Sequence, residues 1–153
     1  MSKPYFPRRE SDPPPLRVVT RRTVRFQEVD LLGIVWHGHY PGFFEDARVA
    51  LGEKHGISYR DFMTNRVPTP VKRLDIDYRL PLRFNDEITI EGLLHWTEAA
   101  RMNYEFVIRN AQGQVTTQGY AVQLMLDEHF NLLTVPPPFY LAFCERWRAG
   151  EWS

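Results

Sequence analysis

An α+β fold is predicted by three features of the 153-residue chain: an alternating run near its start, one helical apolar stripe, and renewed alternation to residue 126. A single long helix followed by an antiparallel meander buries both apolar surfaces when the sheet covers the helix. The length suits one domain with a real core. No internal repeat or second domain interrupts the pattern.

Residues 1–15, MSKPYFPRRESDPPP, hold five prolines and no hydrophobic period. They read as a flexible or polyproline-like arm, leaving 16–148 as the single domain. From Leu16 to Val29 the chain alternates, with Val24 and Phe26 facing one way and Arg25 and Gln27 the other. Residues 41–55 change to helical period, with Phe44, Ala47 and Leu51 flanked by Phe43 and Ala50. Pro41 suits the first turn and Gly56 the stop, while Glu45, Asp46 and Arg48 are expected to face outward. A short second helix is expected from Ser58, where Ser-x-x-Asp61 resembles a capping box. Strands follow at 74–80, 87–96, 101–110 and 115–126, the last two joined by the turn AQGQ at 111–114. A brief strand at 132–135, a proline stop at 136–138 and an amphipathic helix at 139–148 complete the pattern.

Nineteen basic and nineteen acidic residues cancel, which advertises neither a nucleic-acid nor an anionic-membrane partner. A lone cysteine, Cys144, excludes an intramolecular disulfide and fits a reducing, cytoplasmic setting. No apolar stretch is long enough to span a bilayer. Aromatic residues reach 14%, a surplus for which a well-filled core, an oligomer interface or an apolar ligand channel would each find use.

Chemistry concentrates in VRFQEVDLLGIVWHGHYPGFFEDAR, residues 24–48. Asp30 ends the alternating run. It reads either as a turn former bonding its own backbone or, with Leu31 to Trp36 around it, as a desolvated carboxylate suited to act as a base. His37 and His39 precede the helix start, where backbone N–H groups lack internal partners and can stabilise an oxyanion. The interesting atom of His37 is then its amide hydrogen rather than its ring. Trp36 and Tyr40 either line a slot or pack in the core, and Glu45 either pairs with Arg48 or reaches a substrate. No metal-ligand spacing, nucleophile elbow or phosphate loop is present, so no metal is expected.

The run Phe26, Asp30, Gly33-Ile34-Val35-Trp36, Tyr40, Phe43-Phe44-Glu45 and Ala47-Arg48 resembles the hotdog-fold thioesterases of the 4-hydroxybenzoyl-CoA and Tol–Pal-associated types. The later VKRLDIDYRLPLRFNDEITI is similar to that family's second and third strands. This resemblance implies a central helix wrapped by a curled antiparallel sheet of about five strands, with subunits joined edge to edge as a homodimer or homotetramer. It implies hydrolysis of an acyl-CoA or acyl-carrier-protein thioester, with coenzyme A entering as part of the substrate and no separate cofactor. Asp30 becomes nucleophile or general base, the His37 amide the oxyanion donor, and Gly33, Val35, Trp36, Tyr40 and Glu45 the substrate surroundings. His39 departs from the small or Asn residue usual before the Tyr, and "TEAAR" leaves Arg101 as the main cation toward the CoA nucleotide. Two other readings remain. One is a hotdog 3-hydroxyacyl dehydratase using His39 and Glu53; the other is a non-catalytic acyl-CoA-binding protein.

Overall fold

The computed structural model describes residues 3–152. Strand β1 (Leu16–Thr23) leads through two one-turn 3-10 helices (Phe26–Glu28 and His37–His39) into α1 (Tyr40–His55) and α2 (Tyr59–Thr64). Strands β2 (Val71–Tyr78), β3 (Glu87–His95), β4 (Arg101–Arg109) and β5 (Val115–Leu124) follow, and α3 (Pro138–Arg148) closes the chain. All pairings are antiparallel in a five-stranded sheet of order β1-β3-β4-β5-β2. The α+β plan with a single long helix on the sheet is thus as the sequence predicts.

The helix begins one residue early, at Tyr40, with Pro41 in its first turn; Gly56 ends it in the left-handed region at φ 74°. The capping box at the start of α2 is present, the Ser58 side chain accepting from the Asp61 amide. Two local expectations fail. The first strand stops at Thr23, because Phe26–Glu28 coil into a 3-10 turn once Val24 has been bonded to the 85–86 segment. Residues 132–135 form no strand, and only a bridge between Leu126 and Leu132 remains.

What lets α1 sit against the sheet is a row of residues across it. Gly92 on β3 and Gly119 on β5 flank Phe106 on β4 in register. The Phe44 ring from α1 stacks on Phe106 at 4.7 Å between centroids. A Cβ at 119 would stand 2.4 Å from that ring, and one at 92 would stand 3.1 Å from the Ala47 Cβ. Small residues on both faces therefore permit the close approach. Leu51, Ile90, Leu94, Met102, Tyr104 and Ile108 complete a core that excludes solvent.

The arm does not trail free. Tyr5 stacks on Tyr120 at 4.0 Å, Phe6 is buried beside His95, and the Trp147 indole donates to the Pro14 carbonyl at 2.9 Å. Aromatic side chains between its prolines give the arm a docking surface that a count of prolines does not reveal.

His55, the last residue of α1, is 3% exposed, and among the described residues neither ring nitrogen has a hydrogen-bond partner. Its ring meets Trp152 edge-on at 4.9 Å. Burial, aided by the charge of Lys54, pushes its pKa down to about 4. The unfolded chain takes this proton near 6.5 and the folded chain resists it, so stability is complete above that pH and falls as pH drops toward 4. The loss should reach at most ~3 kcal/mol in urea titrations between those limits. His55→Phe should remove that part of the pH slope; an unchanged slope would assign it to other groups.

Candidate active site

The loop between β1 and α1 is closed at every level by its own backbone. Trp36 N–H donates to the Glu28 carbonyl at 2.9 Å, Val29 bridges to Val35, and Asp30 N–H donates to the Ile34 carbonyl at 2.9 Å. Gly33 N–H then donates back to the Asp30 carbonyl at 2.9 Å, which requires a reversal that Gly33 makes at φ 76°. On its outer side the loop is fixed to the β2–β3 connection, Val35 N–H donating to the Leu82 carbonyl and Ile34 bridging to Arg83. The strand end and the helix start are thus the two feet of one tight loop.

Asp30 sits at the first reversal. Its Oδ1 accepts the Leu32 N–H at 2.8 Å, so the turn-forming role foreseen for it is real. Among the described residues its Oδ2 has no hydrogen-bond partner. The apolar cover expected around this acid is absent from the single chain: Asp30 is half-buried, and Leu31 and Leu32 point into solvent. Phe26, Trp36 and Phe84 are exposed nearby, so the apolar material is present but uncovered.

At the other foot, His37–His39 form one 3-10 turn that runs directly into α1. His37 opens that turn, so its N–H has no partner within it, and among the described residues it reaches no backbone carbonyl elsewhere. Its carbonyl accepts the Tyr78 hydroxyl at 2.8 Å, which ties the turn to strand β2. The Tyr78 ring in turn meets Tyr40 edge-on at 4.9 Å. Tyr40 is buried, and that burial pushes its hydroxyl pKa up to about 12.

Trp36 is 47% exposed rather than packed into the core, and its ring lies over Gly38 between the His37 and His39 rings. Any Cβ at 38 would fall 2.2 Å from the indole, so glycine is the residue this arrangement needs. Glu45 pairs with Arg48 at 3.2 Å and accepts the Tyr59 hydroxyl. Arg48, expected to face outward, is instead 8% exposed, its guanidinium stacked 3.8 Å from the Tyr59 ring centroid. Its long stem reaches under α2, where that ring and the Glu45 carboxylate receive the charge.

No local pattern signals the ion pair that braces the loop. Arg22 on β1 holds both Glu28 oxygens at 2.6 Å, and Glu28 also accepts the Arg25 N–H at 2.8 Å. A spacing of six residues across a strand end carries no local signal. Gly33 and Val35 lie in the closed loop, but Arg101 opens β4 at the opposite end of the sheet from Asp30. An open cavity of about 660 Å³ beside the loop is lined in part by Arg22, Arg25, Phe26, Phe84 and Asn85, and Asp30 is not among its walls. No helix of the described residues is long and apolar enough to cross a membrane.

Gly38→Ala should displace the indole. With fluorotryptophan labelling, one of the four tryptophan resonances should move while the others hold, and four unmoved resonances would refute the close contact.

Comparison with known proteins agrees with this frame. Residues 24–143 match the model of the thioesterase-like superfamily. The chain is 24% identical over 104 residues to the Escherichia coli acyl-CoA thioester hydrolase YbgC, covering 68% of this chain and 78% of that one. It is 33% identical over 70 residues to the 1,4-dihydroxy-2-naphthoyl-CoA hydrolase of Nostoc punctiforme, covering 45% and 47%. In structure it is similar to the DHNA-CoA thioesterase of Staphylococcus aureus, with a TM-score of 0.78 at 24% identity over 87% of this chain and 91% of that one. A curled five-stranded sheet on one long helix, with the family match running from the Asp30 loop into α3, makes this chain a member of the thioesterase-like superfamily with the hotdog fold.

Proposed function

We propose that this thioester hydrolase cleaves acyl or aroyl thioesters of coenzyme A at the loop between β1 and α1. The observation that carries the reading is the pairing, on one closed loop, of a carboxylate with one oxygen tethered and one free and an amide at the helix start with no acceptor. Two routes use that pairing. Either Asp30 Oδ2 attacks the thioester carbonyl, expelling the thiolate and leaving an anhydride for water to open, or it takes a proton from water as that water attacks. In both, negative charge develops on the carbonyl oxygen, and the His37 N–H is the donor poised to receive it. Glu45, held by Arg48 and Tyr59 one turn into α1, is the polar group offered to the distal part of an acyl chain or aromatic acid.

Edge-to-edge pairing of β2 with a second copy would complete the site. β2 is an open edge whose inner side chains, Leu74, Ile76 and Tyr78, are half-buried or exposed; Leu31 and Leu32 next to Asp30 are uncovered, as are Phe26 at the start of the same loop and Phe84 against it. A two-fold axis across β2 reverses the strands, so the Asp30 end of one chain adjoins the Arg101 end of the other. That is how Arg101 comes to serve the CoA nucleotide. The dehydratase reading finds less support: His39 and Glu53 stand roughly 21 Å apart along α1, at 1.5 Å per residue.

Thiol release from a panel of acyl-CoAs tests the reading. Wild-type protein should release thiol, and folded Asp30→Asn should lose nearly all of it. His37→Ala keeps its amide and should lose much less than the roughly 100- to 1000-fold that follows loss of an oxyanion donor. Intact folding with no release from any thioester would overturn the assignment. Equal losses in the two variants would move the chemistry to the imidazole.

A further inference from the structure

We propose that the N-terminal arm is a clamp on the seam between two copies of this chain, with Tyr5 as the residue that reaches across. The inference rests on the edge-to-edge pairing of β2 proposed above. The arm leaves the sheet at Leu16 on β1, one edge, and Tyr5 touches β2, the other edge. Between them it crosses the outer face of the sheet. Phe6 packs on His95 of β3 and Tyr120 of β5, which flank β4, and beneath it Asn103, Val107 and Val122 are all less than a tenth exposed. Crossing four strand spacings takes roughly 19 Å. Ten residues of polyproline-like chain supply about 31 Å, so the reach to the far edge is not strained.

At that edge the Tyr5 hydroxyl bonds the Asp75 carboxylate, its ring stacks on Tyr120, and the Arg73 guanidinium lies 5.8 Å from the ring centroid. A second β2 pairing there would run about 4.8 Å away, inside the reach of a tyrosine ring. The edge is also complementary to itself. Its outward residues are Arg73, Asp75, Asp77 and Arg79, and its inward ones Leu74, Ile76 and Tyr78. An antiparallel self-pairing centred on Asp75 sets Arg73 opposite the partner's Asp77 and Leu74 opposite the partner's Ile76. One centred on Asp77 sets Asp75 opposite the partner's Arg79 and Ile76 opposite the partner's Tyr78. Each of these sets one acid opposite its own copy at the two-fold axis, whereas centring on Ile76 would oppose like charges at both outward pairs, Arg73 with Arg79 and Asp75 with Asp77. In both matched registers Tyr5 stands over the junction, with the ring of one chain against charged side chains of the next. A tyrosine is suited to this position, since it offers a large rigid surface at small entropic cost and a hydroxyl for the carboxylate.

Sedimentation equilibrium of the full chain, wild type beside Tyr5→Ala, tests the clamp. The wild type should be a dimer whose dissociation constant rises at least 10-fold in the variant, with the far-ultraviolet circular dichroism unchanged. A wild-type dimer with the same constant in the variant would overturn the clamp and leave the edge pairing standing. A wild type that is monomeric at every concentration would overturn the pairing and the clamp with it. Should Tyr5→Ala lose its fold, tryptic cleavage at the exposed Arg8–Arg9 bond of wild-type protein decides instead. The rate should fall as concentration rises through the dissociation constant. A rate independent of concentration would mean that the arm is held by its own chain alone.

Discussion

The rest of this molecule depends on how closely α1 can approach the sheet. Phe106 lies between two glycines on neighbouring strands, and that gap is filled from above by Phe44 rather than from beside. The stack fixes the height of the helix, and the Ala47–Gly92 contact fixes where it crosses. Because interiors are close-packed, a shift at either point would propagate along the helix axis to its N-terminus. That terminus is where the His37 turn sits. The packing of the sheet centre thus sets the position of a backbone N–H more than two turns of helix away.

The loop that precedes the helix is rigid for a different reason. Internal backbone hydrogen bonds fix its two feet and its reversal at Gly33, and the 82–86 segment holds its outer side. Arg22 and Glu28 reinforce it from below. Their bidentate pair is largely desolvated, so its net contribution to stability is small; its effect is to hold the loop in one arrangement. The proposed roles of Asp30 and the His37 amide would need that kind of support, because transition-state stabilisation is lost when donor and nucleophile drift apart.

Much of the fold was legible because its signals are local. The stripe of Phe44, Ala47 and Leu51, the Gly56 stop, the Ser58 capping box and the alternating strands each depend on neighbours within a few residues. The same holds for the Asp30 loop, whose acid, glycine and helix start are contiguous. Long-range partners were not legible. Arg48 reads as an outward charge beside Glu45, yet it is buried because Tyr59, eleven positions on, folds back over it. Trp36 reads as either slot lining or core, yet glycine at 38 lets its ring lie along the surface. The arm reads as flexible or polyproline-like because prolines dominate it, while the contacts that place it come from Tyr120 and His95, more than 85 residues away. Pattern reports which face a residue prefers; it does not report what will be waiting there.

The uncovered surface beside Asp30 follows from this division. The backbone of the loop is held by the chain itself, whereas Leu31 and Leu32 are left in solvent, and Phe26 and Phe84 meet edge-on yet stay exposed. Several large apolar side chains left in solvent around one acid cost free energy that a lone folded chain has no means to recover. An open strand edge with an apolar inner face lies beside them, tied to the same loop by the Tyr78 hydroxyl on the His37 carbonyl. In the proposed pairing, covering the edge and covering the acid would be one event. Under the proposed pairing, a carboxylate left wet in the separate chain and dry in the assembled one would acquire its reactivity through assembly, so that the geometry proposed for catalysis would itself call for a second copy.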